Sequence, residues 1–136
     1  MYLALTNNNV RVTTIEACKN IFNFTRNVFE KSQITNINFI NDTFDNVFDS
    51  DILRNTQYNL LFLDGNHKSE KVLKYVDYFE RYLANKEYIL IIDDINWNRD
   101  MYKAWKTLVN NHKNCFILEF FRVGIIFSGY IRVDVN

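Results

Sequence analysis

Short apolar runs alternate with stretches of helical periodicity along the chain. Val10-Arg11-Val12-Thr13-Thr14-Ile15 is rich in β-branched residues and predicts a strand that stops at Glu16. Ala17, Ile21, Phe24 and Val28 recur at helical spacing and predict an amphipathic helix over 17–31. Residues 34–40 alternate as a strand does, and 42–53 read as a short helical or irregular piece. Tyr58-Asn59-Leu60-Leu61-Phe62-Leu63 is an almost continuous apolar run closed by Asp64, the pattern of a strand buried on both faces. Ser69 can cap a helix whose inner face carries Val72, Val76, Phe79 and Leu83. Tyr88-Ile89-Leu90-Ile91-Ile92 is a second buried strand, closed by Asp93-Asp94. Met101, Ala104, Trp105 and Leu108 predict a helix over 99–110, and 115–120 with 123–130 read as a closing pair of strands.

This alternation predicts an α/β fold: a mostly parallel sheet, helices on both faces, and an antiparallel C-terminal strand pair. With 136 residues the chain reads as a single domain over 1–136. A hydrophobic share of 48% excludes a disordered chain. Lys and Arg together number 16, as do Asp and Glu, so nucleic acid and anionic membrane are not expected partners. The apolar runs are too short to span a bilayer. Cys18 and Cys115 lie far apart without metal-ligand spacing, which predicts buried, reduced thiols in a cytoplasmic protein. Gly65, Gly124 and Gly129 are the only glycines, and no G-x-G occurs.

Candidate chemistry sits at the strand ends, because ligands of open α/β sheets bind beyond the carboxyl ends of the strands. Successive strands run into Glu16, into Asn41-Asp42, into Asp64-Gly65-Asn66-His67 and into Asp93-Asp94. Carboxylates gathered on one edge repel one another unless a cation or a hydrogen-bonding ligand sits among them. Glu16 can accept the two hydroxyls of a ribose, or can stabilise the dipole of the helix that follows. Asp42 can meet an adenine amino group, or can cap its own helix. Asp64, Asp93 and Asp94 are candidate ligands for Mg²⁺, with loop and helix capping as the other reading. His67 is a candidate general base, or an exposed loop histidine. His112 reads as a surface residue. Trp97 and the Phe120-Phe121-Arg122 turn can line an acceptor pocket or pack into the core.

In this order these motifs resemble class I S-adenosylmethionine-dependent methyltransferases, with their Rossmann-like fold. Val12-Thr13-Thr14-Ile15-Glu16 resembles the second strand, and Ile40-Asn41-Asp42 the end of the third. Residues 58–67, YNLLFLDGNH, resemble the fourth strand with its motif, and Ile91-Ile92-Asp93-Asp94-Ile95-Asn96-Trp97 the fifth. The last two look most like metal-dependent O-methyltransferases of the catechol and sugar types. The resemblance implies S-adenosylmethionine near Glu16, Asp42 and Asp64, and Mg²⁺ on Asp64, Asp93 and Asp94. It also implies His67 in a catalytic position and a small molecule or sugar as acceptor. In that family a glycine-rich loop precedes the ribose-binding acid by about twenty residues. Here that count runs off the start of the chain, and Tyr2-Leu3-Ala4-Leu5 resembles the end of the helix after the loop. The resemblance therefore implies an N-terminally truncated domain whose first family strand is missing. It leaves strand edges through which copies could pair as a homodimer. A degenerate domain acting as an interaction module is the alternative. A response-regulator receiver places its aspartate pair before the lone aspartate, the reverse of the order here. A phosphate-binding NTPase needs G-x-x-x-x-G-K, which is absent.

Overall fold

The computed structural model describes residues 2–5 and 9–129. Tyr130, the expected end of the last strand, lies outside the described residues. The chain divides into two compact units, Met1–Ile52 and Leu53–Asn136.

The first unit runs α1 (Tyr2–Leu5), β1 (Val12–Ile15), α2 (Lys19–Lys31), β2 (Ile37–Ile40) and α3 (Phe44–Asp49). β1 and β2 pair in parallel, from Val12 opposite Ile37 to Ile15 opposite Ile40. β2 starts three residues later than the alternation predicts because residues 32–36 turn the chain from helix to strand. Gln33 takes a left-handed φ of 56°, the Ile34 N–H donates to Phe29 O, and Asn36 Nδ2 donates to the carbonyls of Ala4 and Val10. The predicted helix forms, but its inner face is not the one the periodicity singled out. Phe22 and Phe29, seven residues apart and so on one face, both meet the Phe39 ring edge-on, at 6.3 and 5.4 Å between centroids. Ile21, Phe24 and Val28 remain 53%, 72% and 38% exposed. Thr43 caps α3, its Oγ1 accepting from the Asn46 N–H.

The second unit runs β3 (Tyr58–Leu63), α4 (Ser69–Tyr78), a π-helical turn (Phe79–Leu83), β4 (Ala84–Ile92), α5 (Arg99–Asn111), β5 (Phe116–Glu119) and β6 (Gly124–Ser128). Its sheet has the order β3-β4-β6-β5. β3 and β4 are parallel, and β6 is antiparallel to both β4 and β5, which gives the expected antiparallel closing pair. Val72, Tyr75, Val76, Phe79 and Leu83 are buried, as are Met101, Ala104, Trp105 and Leu108, matching the predicted faces. Gly124 is required where it is: a Cβ there would lie 2.5 Å from the Trp105 ring.

Three local readings are corrected. Lys68, not Ser69, stands at the start of α4, and the Ser69 N–H and Oγ both donate to Asp100 at 2.8 Å, tying together the first turns of α4 and α5. These hydrogen bonds hold the Asp100 carboxyl below the usual carboxylate range. His112 is buried rather than on the surface. Its Nδ1 lies 2.7 Å from Leu108 O and its Nε2 2.5 Å from Glu80 Oε1, the same oxygen that accepts from Tyr88 Oη. The hydrogen bond to Glu80 raises the imidazole pKa above its ordinary value against the opposing effect of burial. Cys18 is exposed and Cys115 half-buried, both as free thiols. Among the described residues no helix is long and apolar enough to cross a membrane.

Candidate active site

In the first unit, the register of β1 and β2 brings Glu16 and Asp42 to the carboxyl end of the same parallel pair. Asn41 links the two strand ends through Nδ2, which donates to Glu16 O at 2.7 Å. Both carboxylates are partly used by their own turns. Glu16 Oε1 accepts from the Cys18 N–H, while Asp42 Oδ1 accepts from the Thr43 N–H and from Asn46 Nδ2, all at 2.7 Å. Each carboxylate is thereby oriented through one of its oxygens.

In the second unit, Leu63 and Ile92 end β3 and β4 side by side, and the Asp93 N–H donates to Leu63 O at 2.9 Å. Asp64 and Asp93 thus leave the sheet at one edge. The chain then turns through left-handed residues after both strands, Asn66 at φ 51° and Asp94 at φ 53°. Asn and Asp are the side chains that tolerate this region best. Asp94 is held there by its N–H, which donates to Asp93 Oδ1 at 2.8 Å, and by its carbonyl, which accepts from the Trp97 N–H at 2.9 Å. Strain of this kind persists where surrounding contacts enforce it, and it gathers at functional sites.

The side chain of Asp94 is nearly buried, and Arg122 of the β5–β6 turn reaches it. Arg122 Nε and Nη2 both approach Asp94 Oδ1, at 2.9 and 2.7 Å, and Nη2 lies 3.8 Å from Asp93 Oδ2. The hydrogen bond to Asp94, then the charges of Asp94, Asp93 and Asp64, push the guanidinium pKa further up, so it stays cationic. The other Asp94 oxygen, Oδ2, lies 3.8 Å from His67 Nε2, and the His67 ring stands 5.6 Å from that of Trp97. Asp94, Asn96, Trp97, Phe121 and Arg122 line an open cavity of about 350 Å³. Trp97 and Phe121 are 66% and 86% exposed, so these aromatics are not core residues.

Mg²⁺ requires several oxygen ligands in a near-octahedral arrangement. Here one Asp94 oxygen accepts the guanidinium and the other faces an imidazole. Among the described residues, no group of three or more His, Cys, Asp or Glu side chains is placed to hold a metal ion. As arranged, Asp64, Asp93 and Asp94 do not fit a divalent cation. Arg122 is the residue this reading of the strand ends missed. Its signal was present, since a Phe-Phe-Arg turn between two closing strands puts a cation on the same sheet, but nothing in the spacing tells which carboxylate it meets.

Parallel strands that end in carboxylates, crossover helices and an antiparallel closing pair define the Rossmann-like α/β class. Residues 1–95 match the family described as a methyltransferase domain, and the chain belongs to that family. Its fold is similar to that of a protein from Corynebacterium glutamicum, with TM-score 0.70 and 14% identity over 90% of this chain and 62% of that one. A methyltransferase from Geobacter sulfurreducens gives 0.64 and 15%, over 90% and 60%. An O-methyltransferase from Bacillus cereus, solved in complex with SAH, gives 0.65 and 11%, over 87% and 63%. The chain therefore spans 60–63% of the length of these three structures. No curated protein sequence matches it.

Proposed function

We propose that the chain acts in S-adenosylmethionine-dependent methyl transfer to a hydroxyl of a small molecule or sugar. The observation that carries this reading is the cavity beyond the carboxyl ends of β3 and β4, lined by Asp94 and Trp97 of one loop and Arg122 of another, with His67 Nε2 3.8 Å from Asp94 Oδ2 and its ring 5.6 Å from that of Trp97. Membership of the methyltransferase family supports it. The cofactor, when bound, supplies an electrophilic methyl on a sulfonium. Glu16 would hold its ribose hydroxyls and Asp42 its adenine end.

An acceptor ring can lie against the exposed faces of Trp97 and Phe121, with Asn96 and Arg122 available to its polar groups. His67 would take the proton of the acceptor hydroxyl. The imidazolium so formed faces Asp94 Oδ2, whose charge stabilises it. Soluble, cytoplasmic action on a small-molecule acceptor completes this reading, with Arg122 rather than Mg²⁺ meeting the aspartates.

The test is transfer of labelled methyl from S-adenosylmethionine to a panel of sugars and hydroxylated aromatics. Transfer to at least one compound, reduced about 10²-fold by His67→Ala, is expected. Cofactor binding with no transfer to any hydroxyl would remove the reading. The interaction-module alternative rests on the open Ile21, Phe24 and Val28 face of α2. It predicts self-association without cofactor binding.

A further inference from the structure

We infer that Arg122 is the resident cation of the β3–β4 rim, holding the place between Asp93 and Asp94 that a divalent ion would need. The inference deepens the proposed methyl transfer, but its central test does not depend on that activity.

Three observations carry it. First, the guanidinium is committed to the aspartates, with two nitrogens on Asp94 Oδ1 and one of them also within 3.8 Å of Asp93 Oδ2. Second, the turn that bears it is fastened to the loop it serves. The Ile95 N–H donates to Arg122 O at 2.9 Å, and Asn96 Nδ2 donates to Phe121 O at 2.7 Å. The backbone on both sides of the side chain is therefore tied to residues 95 and 96, and the ion pair is not a chance meeting of two flexible chains. Third, the carboxylate it meets needs a counter-charge, since Asp94 is nearly buried in a left-handed turn and a buried carboxylate without a partner is costly.

A divalent ion and the guanidinium compete for the same oxygens. With Arg122 present, Asp94 has no pair of free oxygens to give a metal. Without it, the carboxylates of Asp93 and Asp94, with Asp64 following the neighbouring strand, recover the charge density that recruits hard cations. Arg122 also lines the cavity, so in the proposed reaction its charge faces the acceptor oxygen as that oxygen loses its proton.

The test is Mn²⁺ binding, followed by electron paramagnetic resonance on the purified chain and its variants. The wild type should leave Mn²⁺ free in solution. Arg122→Ala should bind Mn²⁺ at least about tenfold more tightly, because ligand charge sets affinity at oxygen sites. Asp94→Asn placed in the Arg122→Ala background should abolish the gain. Arg122→Gln also removes the charge, should show the same gain, and serves if the alanine variant is poorly folded, whereas Arg122→Lys keeps the charge and should leave Mn²⁺ free. Tight Mn²⁺ binding by the wild type, lost in Asp94→Asn, would overturn the inference, and so would no gain in a folded Arg122→Ala protein. Neither result bears on cofactor binding, so failure here is distinguishable from failure of the methyltransferase reading.

Discussion

Both units place acids at the ends of a parallel strand pair, yet they hold them in different ways. In the first, Glu16 and Asp42 are oriented by backbone and side-chain groups no more than four residues away. In the second, Asp94 is met by Arg122, 28 residues along the chain, and by His67 from the loop after β3. The cores differ in the same sense. Among the described residues, the buried apolar side chains of the first unit are Ala4, Phe29, Val47 and Phe48, whereas the second buries fifteen. Long-range side-chain pairing needs elements fixed against one another, and dense packing supplies that. A carboxylate set by its own turn needs no such support, which is why the thinner unit can still present oriented acids.

The sharpest way to break this comparison is to remove a core side chain from each unit. Trp105 is buried and its Nε1 donates to Glu119 Oε2, so Trp105→Ala should cost about 3–5 kcal/mol in urea unfolding. Phe29→Ala should cost less than that, since Phe29 is one of only four buried apolar side chains among the described residues of its unit. Equal losses would deny the difference in packing. Gly124→Ala comes next, at about 1–3 kcal/mol, because the new methyl meets the Trp105 ring.

The His112–Glu80 pair gives the second unit a pH dependence. Its contribution is fully present below the unfolded imidazole value of about 6.5 and is lost as pH rises through the higher folded value. Unfolding midpoints of the wild type should therefore fall as pH rises above that value, while His112→Gln, less stable by about 1 kcal/mol, should show a flatter profile. Parallel profiles would show that the imidazole does not change charge there. Tyr88, in the same network, is pushed up to about 12 chiefly by burial, so it stays protonated throughout that range. The smallest effect is expected on α2. Phe24→Ser should change stability by less than about 0.5 kcal/mol because the ring is exposed. A large loss would mean that this face is covered in solution.

Much of this was legible from periodicity. β3 falls on the predicted 58–63, because a buried strand between turn residues leaves little freedom in its limits. The faces of α4 and α5 follow their 3.6-residue spacing. On α2 two candidate apolar faces overlap in the sequence, and the choice between Ile21-Phe24-Val28 and Phe22-Phe29 depends on where Phe39 lies, which only tertiary structure decides. His112 was misread for the same reason, since its partner Glu80 sits 32 residues earlier on a π-helical turn that no spacing announces. Strand-end acids could be found because their position follows from strand limits. The meeting of Arg122 with Asp94 could not, because the tight turn at Phe120–Val123 and the left-handed Asp94 jointly set it.

Titration of the purified chain with S-adenosylhomocysteine in a calorimeter tests the central reading most directly. A dissociation constant in the micromolar range or tighter, weakened at least about tenfold by Glu16→Ala through loss of a charge-assisted hydrogen bond, is the predicted result. A folded chain that gives no heat of binding, or that binds equally well without the Glu16 carboxylate, would contradict it.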